Sequence, residues 1–195
     1  MTRLTIWEER HASAPEKGAP PSPFIERWAR QVWAGERDRQ RPALDIACGS
    51  GRHLPVLATA GWTAVGVDFS REAVRRSAIR SPGARLVVAD AAGLPFRPRS
   101  FALVVLSRFL DRAQLPRITD LLEPGGVLLI ETFLEEEYHA KGHPSLRFCL
   151  GRGEIARLLV ESPQSLVPEE IEEGLLNTGA DMAHLARISA RRPAS

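Results

Sequence analysis

The middle of the chain alternates short apolar runs with amphipathic segments. Five apolar runs predict strands, at 43–47, 63–67, 85–89, 101–106 and 127–132. Most of these runs are continuous in apolar residues, which is typical of parallel strands buried on both faces of a sheet. The stretches between them predict helices at about 52–60, 71–80 and 114–122, of which the first ends at Gly61 and the second is capped by Ser70. Strands and helices that alternate in this way predict an α/β fold.

The residues before this core carry weaker patterns. A short helix is predicted at 7–11, an extended linker with four prolines at 14–23, and an amphipathic helix at 24–35. We therefore expect residues 1–22 to form a lid or a flexible segment, and residues 23–195 to form a single domain.

The residues after the core predict a helix and a strand pair. Residues 123–126 predict a turn that introduces the fifth strand, and the acidic run 135–137 predicts a solvated helix face. A helix at 153–161 presents Ile155, Leu158 and Leu159 to the core. Stretches 165–172 and 184–190 predict a terminal antiparallel pair joined by a long turn.

The composition is that of one globular domain with little net charge. The chain has 195 residues, 44% of them hydrophobic, and a formal net charge of +2. Its two cysteines, Cys48 and Cys149, are not spaced as paired metal ligands, which favours a reduced cytoplasmic protein. Aromatic residues are few and scattered, and no apolar run is long enough to cross a bilayer, so neither a nucleic acid nor a membrane is an expected partner. We expect a monomer or a homodimer.

The candidate chemistry begins with a glycine-rich turn after the first strand. Residues 44–53 read LDIACGSGRH, and the second strand ends in VGVDFS with Asp68. The glycines allow a ligand to approach the backbone, and Asp68 can accept hydrogen bonds from ribose hydroxyls. A dinucleotide fingerprint requires a third glycine where this chain has Leu54, which disfavours a nicotinamide oxidoreductase.

Polar residues follow several of the predicted strands at their carboxyl ends. Asp45 with its loop, Asp68, Asp90 and Ser107 leave four strands of the predicted sheet. Since ligands of open α/β sheets bind outside these ends, we expect the four side chains to converge on one site.

The segment from about 40 to 133 resembles the cofactor half of class I S-adenosylmethionine (SAM)-dependent methyltransferases. The LDIACGSGRH and VGVDFS motifs, with LLEPGGVLLIETF, are similar in particular to the tellurite-resistance-type branch. The resemblance implies a Rossmann-like three-layer αβα sandwich with a seven-stranded, mostly parallel sheet in the order 3-2-1-4-5-7-6 and a C-terminal antiparallel strand pair. It implies SAM as cofactor and S-adenosyl-L-homocysteine (SAH) as product.

The same resemblance implies a set of cofactor-binding residues: Asp45, Ala47, Gly49, Gly51, Arg52, Asp68, Phe69, Asp90, Ala91 and Ser107. Asp68 would take the ribose hydroxyls, Phe69 would lie against adenine, and Asp90 with the Ala91 N–H would bind the adenine edge. Arg52 would bind the SAM carboxylate or be solvated, and Asp90 would alternatively cap the next turn.

Other polar residues have simpler interpretations. Cys48 is expected to be a packed residue, and His53 begins a helix without a catalytic role. His139 and His143 have i, i+4 spacing, but no third ligand is evident, so no metal site is predicted.

The acceptor is the least determined part of the function. The branch resemblance implies methyl transfer to a small molecule with a soft nucleophile, such as a thiol or a selenium or tellurium species, which needs no strong base. Methylation of oxygen or nitrogen would need a base, for which His11, His139 and His143 are the candidates. A SAM- or SAH-binding protein without transferase activity is a further alternative. RNA methylation is disfavoured because no appended basic module is visible. The sequence identifies no catalytic residue.

Overall fold

A computed structural model describes residues 3–13, 18–33, 41–142 and 145–194. Residues 14–17 of the predicted linker and His143 lie outside this range. Within the described residues, no helix has the length and apolar character needed to span a membrane.

A single mixed sheet forms the centre of the protein. Its strands are β1 (Pro42–Ile46), β2 (Thr63–Asp68), β3 (Arg85–Val88), β4 (Phe101–Ser107), β5 (Leu122–Leu134), β6 (Cys149–Leu150), β7 (Val167–Asn177) and β8 (Met182–Arg191). The order is β3-β2-β1-β4-β5-β8-β7, and the two-residue β6 pairs with β5. Strands β1 to β5 pair in parallel, whereas β8 is antiparallel to both β5 and β7. The expected strand order 3-2-1-4-5-7-6 is confirmed. The last two strands are numbered β8 and β7 here because the short β6 precedes them in the chain.

Helices cover the sheet and fall close to the predicted ranges. They are α1 (Arg3–Ala12), α2 (Pro23–Trp33), α3 (Leu54–Thr59), α4 (Arg71–Arg80), α5 (Leu115–Asp120), α6 (Glu135–Lys141) and α7 (Glu154–Val160). The predicted cap of α4 is confirmed, because the Ser70 side chain accepts a hydrogen bond from the Ala73 N–H.

Apolar residues of the central strands pack on both faces of the sheet. One cluster includes Leu44, Val104 and Ile130, and the other includes Leu103 and Leu129. Burial on both faces accounts for the continuous apolar runs in the sequence.

Residues 123–126 lie within β5, so the prediction that they form a turn before that strand was wrong. The register against β4 jumps from Phe101↔Leu122 to Leu103↔Val127, and the intervening residues bulge. Gly125 adopts a left-handed φ of 78° there. The residue that follows β8 stabilises the bulge, because the Gly125 N–H donates to the Arg192 carbonyl.

The predicted long turn between the last two strands is short. The strands pair up to Asn177↔Met182, so 173–177 belong to β7. The Thr178 hydroxyl oxygen accepts from the N–H groups of Ala180 and Asp181, which satisfies the turn locally.

The acidic run 135–137 is only partly a solvated helix face. Glu137 is buried, contrary to the prediction. Its carboxylate accepts from the His184 N–H of β8 and pairs with Lys141 at 2.6 Å. These partners explain how a charged residue is accommodated there.

Candidate functional site

The glycine-rich loop after β1 has three residues in the left-handed region. Ala47, Gly49 and Gly51 have φ values of 55°, 56° and 75°. A Cβ on Gly51 would lie 2.7 Å from the Ser77 hydroxyl of α4, so only glycine fits there. Ala47 has a Cβ, which makes a left-handed φ less favourable for it than for glycine. The prediction that Ala47 ends the first strand was wrong, because β1 ends at Ile46. The loop is therefore a tight turn pressed against α4.

Asp68 ends β2 and holds the loop in place. One carboxylate oxygen accepts from the Gly49 N–H at 2.9 Å, and the other from the Ser70 N–H at 2.9 Å. The residue is only 4% exposed. Burial raises the pKa of the Asp68 carboxyl, and the two N–H groups oppose this effect. A carboxylate thus stands at the carboxyl edge of the sheet with its orientation fixed by two backbone donors.

Asp45 lies under the loop beside His53. The Nε2 atom of His53 accepts from the Ser22 N–H at 3.3 Å, so the proton of the neutral ring is on Nδ1. Nδ1 lies 3.6 Å from Asp45 Oδ2, and burial lowers the pKa of His53. The Oδ2 atom is buried and has no hydrogen-bond partner among the described residues. His53 is therefore an interior residue held by Ser22 on one side and Asp45 on the other.

A further buried carboxylate, Glu131 of β5, was missed by the sequence analysis. It is opposite Ser107 in the β4–β5 register and fully buried. One oxygen accepts from the Ser22 hydroxyl at 2.5 Å and from Arg187 Nε of β8 at 2.8 Å. Glu131 lies inside an apolar stretch, and its partners are more than 50 residues away in sequence, so no local signal marks the cluster.

Arg52 contacts Ser107, a pairing that the sequence analysis did not predict. A guanidinium nitrogen of Arg52 donates to the Ser107 hydroxyl at 2.6 Å, and the same nitrogen lies 3.9 Å from Glu131. Burial, followed by the nearby charge of Arg108, lowers the pKa of Arg52 to about 10. Arg52 is therefore a mostly buried cation and not a solvated residue.

Asp90 occupies a more exposed position. Its carboxylate accepts from the Ala92 N–H at 3.0 Å and so caps the short turn Ala91–Gly93. The alternative interpretation of Asp90, a cap of the next turn, is thus realised. Phe69 is half-buried next to Asp68.

The remaining candidates are a buried thiol in the loop and an exposed histidine. Burial raises the pKa of Cys48 well above its usual value, so the thiol stays protonated, in line with the packed interpretation. His139 is exposed on α6 and contacts the ring of Tyr138 edge-on. In the part of the chain that the structure describes, no cluster of three metal-ligating side chains occurs.

Comparison with known proteins finds similarity to methyltransferases over part of the chain. Residues 43–126 match a family described as Methyltransferase domain. The chain is 38% identical over 94 residues to an uncharacterised methyltransferase from Synechocystis, covering 45% of this chain and 44% of that protein. It is 33% identical over 114 residues to the demethylmenaquinone methyltransferase of Renibacterium salmoninarum, covering 55% of this chain and 48% of that protein. The chain spans about half the length of these curated relatives.

Solved structures share the whole fold. A structure described as "Conversion of a Disulfide Bond into a Thioacetal Group during Echinomycin Biosynthesis" has a TM-score of 0.74 at 18% identity, covering 100% of this chain and 94% of that one. A SAM-dependent methyltransferase from Mesorhizobium loti has a TM-score of 0.66 at 19% identity, covering 91% of this chain and 100% of that one. The expected Rossmann-like fold is confirmed, while the tellurite-resistance branch stays a prediction.

Proposed function

We propose that this chain is a SAM-dependent methyltransferase whose acceptor is a small molecule with a soft nucleophilic atom, such as a thiol or a selenium or tellurium species. The observation that carries the proposal is the buried Asp68 carboxylate, fixed by the N–H groups of Gly49 and Ser70 at the edge of the sheet. The family match of residues 43–126 supports SAM as the cofactor and SAH as its product.

The charges and shape of the site fit this cofactor. SAM carries an ammonium, a sulfonium and two ribose hydroxyls, which are cations and hydrogen-bond donors. The site offers the buried carboxylates of Asp45 and Asp68. Gly49 and Gly51 leave the loop without side chains on its left-handed turns. A site that is negatively charged and accepts hydrogen bonds complements a cofactor that carries positive charges and hydroxyl donors.

The other predicted residues have roles that follow from their positions. Arg52 carries a buried positive charge suited to the carboxylate of the cofactor, with Ser107 as its hydrogen-bonded neighbour. Phe69, Asp90 and Ala91 follow β2 and β3, next to Asp68, and would bind adenine. When bound, SAM supplies a methyl group on a sulfonium, an electrophile that already carries its leaving group. The chain then has mainly to hold the acceptor in line with that methyl group.

The position and charge of Arg108 favour an acceptor that carries a negative charge. It follows Ser107 with a left-handed φ of 55°, which is unusual for a residue with a side chain. Its exposed guanidinium lies over the Phe133 ring at 5.6 Å and makes no ion pair with any described residue. A positive charge beside the transfer site favours the deprotonated form of a thiol or a similar acid, which attacks without a separate base.

The first experiment is calorimetric titration with SAM, with NAD as the comparison ligand and Asp68→Ala as the control variant. Heat with SAM alone, lost in the variant, is the expected result. If the wild-type protein binds NAD and not SAM, the proposal is wrong.

The acceptor is tested with SAM labelled in the methyl group, offered small thiols, selenium and tellurium oxyanions, alcohols, amines and RNA. We expect transfer to the soft acceptors, and an Arg108→Gln variant with a raised acceptor KM and an unchanged SAM affinity. Arg147→Gln is the matched control, because Arg147 is also exposed and lies 4.3 Å from the Phe148 ring centre. Transfer only to alcohols, amines or RNA would contradict the soft acceptor. SAM binding without transfer to any acceptor would instead support a non-catalytic binding protein.

A further inference from the structure

Helix α1 is fastened to α4 at both ends of their contact. The Glu8 carboxylate accepts from the Ser70 hydroxyl at 2.8 Å and from the N–H groups of Arg71 and Glu72 at 2.8 and 3.1 Å. These donors form the first turn of α4, where the helix dipole favours a negative charge. In return, Arg76 of α4 donates to the His11 carbonyl near the end of α1 at 2.5 Å. The two contacts fix both the position and the direction of α1.

This docking brings His11 onto the glycine-rich loop. The Cε1 atom of its ring lies 3.4 Å from the point that a Cβ on Gly49 would occupy. The Asp68 carboxylate is near enough that its charge acts on the pKa of His11. Trp7, one turn earlier on α1, stacks on the His11 ring with 5.9 Å between ring centres. The His11 ring thus lies between Trp7 on one side and Gly49 and Asp68, which border the proposed ribose position, on the other.

The chain is anchored again just before α2. Arg80 donates to the Ala19 carbonyl at 3.0 Å, and Ser22 donates to both His53 and Glu131. The described parts of residues 1–22 therefore lie against the cofactor loops on both sides of positions 14–17.

We propose that α1 is a lid over the cofactor and that His11 is a cofactor-binding residue which contacts the ribose, with Glu8 as the residue that positions it. This inference rests on the proposed function. It places His11 on the cofactor side, whereas the sequence analysis considered it as a candidate base for the alternative of oxygen or nitrogen methylation. Burial lowers the pKa of His11, so the ring is neutral near pH 7 and can both donate to and accept from ribose hydroxyls. Release of the cofactor then requires α1 to lift from α4.

The test is the affinity for SAH, measured by calorimetry without any acceptor. We expect His11→Ala to weaken SAH binding about tenfold, the effect of losing one good hydrogen bond. Glu8→Gln is expected to weaken SAH binding and to speed its dissociation, because an amide NH₂ would face backbone donors. Glu9→Gln is the matched control, since Glu9 is exposed on the same helix and no described residue bonds to its carboxylate.

A second readout follows the lid itself. In the wild-type protein, SAH is expected to slow amide hydrogen exchange across residues 3–13, and this protection should be lost in Glu8→Gln. The unfolding temperature of each variant separates these effects from a loss of stability. If the wild-type protein binds SAH while His11→Ala and Glu8→Gln bind it as tightly as Glu9→Gln, the inference is wrong and the proposed function stands. If the wild-type protein binds neither SAM nor SAH, the proposed function fails and the inference fails with it.

Discussion

Replacing Asp68 with asparagine separates cofactor binding from folding. The carboxylate uses one oxygen for Gly49 and the other for Ser70, whereas an amide has a single accepting oxygen. The hydrogen bond that we propose from a ribose hydroxyl to Asp68 would also lose its charge assistance. Hydrogen bonds to charged groups contribute about 1.5–3 kcal/mol, so the Kd for SAH should rise by roughly tenfold to 150-fold.

The stability of the ligand-free protein should change much less. Burial raises the pKa of Asp68, which means that folding already disfavours the charged form. An amide escapes that desolvation cost, and this offsets part of the lost backbone hydrogen bond. We expect a change of about 1 kcal/mol or less, or a shift in Tm of at most about 4 °C for a chain of this size.

The pH dependence gives an independent check. Protonation of Asp68 removes its accepting charge, so SAH affinity should fall on acidification. Since the pKa of Asp68 is raised, the fall should occur above the usual value of 3.8. The fall should be smaller in Asp68→Asn, where His11 still titrates and Asp68 does not, and it should be smallest in the double variant Asp68→Asn with His11→Ala.

The assays are calorimetric titration with SAH and thermal unfolding without ligand. Asp90→Asn is the matched control, because Asp90 is exposed and an amide oxygen can still accept the hydrogen bond from the Ala92 N–H. We expect a smaller loss of affinity there. The reasoning is refuted if Asp68→Asn binds SAH as the wild-type protein does, or if stability falls as much as affinity.

Two further predictions concern stability. Glu131→Gln should lower stability by about 3 kcal/mol, because it leaves the buried charge of Arg187 without its main partner, and adding Arg187→Met should recover part of the loss. Urea unfolding measures both variants, and an unchanged midpoint for Glu131→Gln would contradict the importance of this ion pair. Gly51→Ala should destabilise more than Gly125→Ala, since both glycines have left-handed φ values of 75° and 78°, but only the Cβ at position 51 would contact Ser77. Equal losses in thermal unfolding would show that the backbone conformation alone matters.

Local patterns were sufficient for the elements of the fold. The apolar run of β4 and the Ser70 cap of α4 each lie within a few residues, and backbone preference and burial act over that range. The strand order was an expectation from the family resemblance, and the sheet confirms that order. The predicted turn at 123–126 was wrong because a distant segment supplied a backbone partner, the Arg192 carbonyl, for the Gly125 N–H.

The sequence by itself determined the α/β core, the glycine-rich loop and the carboxylate at the end of β2, because each is encoded in contiguous residues. Only the tertiary structure decided which polar groups share the interior. Glu131 reaches Ser22 and Arg187 across 109 and 56 residues, and Glu8 reaches α4 across more than 60. The physical reason is that hydrogen bonds and ion pairs form between groups that folding brings together, and hydrophobic periodicity carries no information about which distant groups will meet.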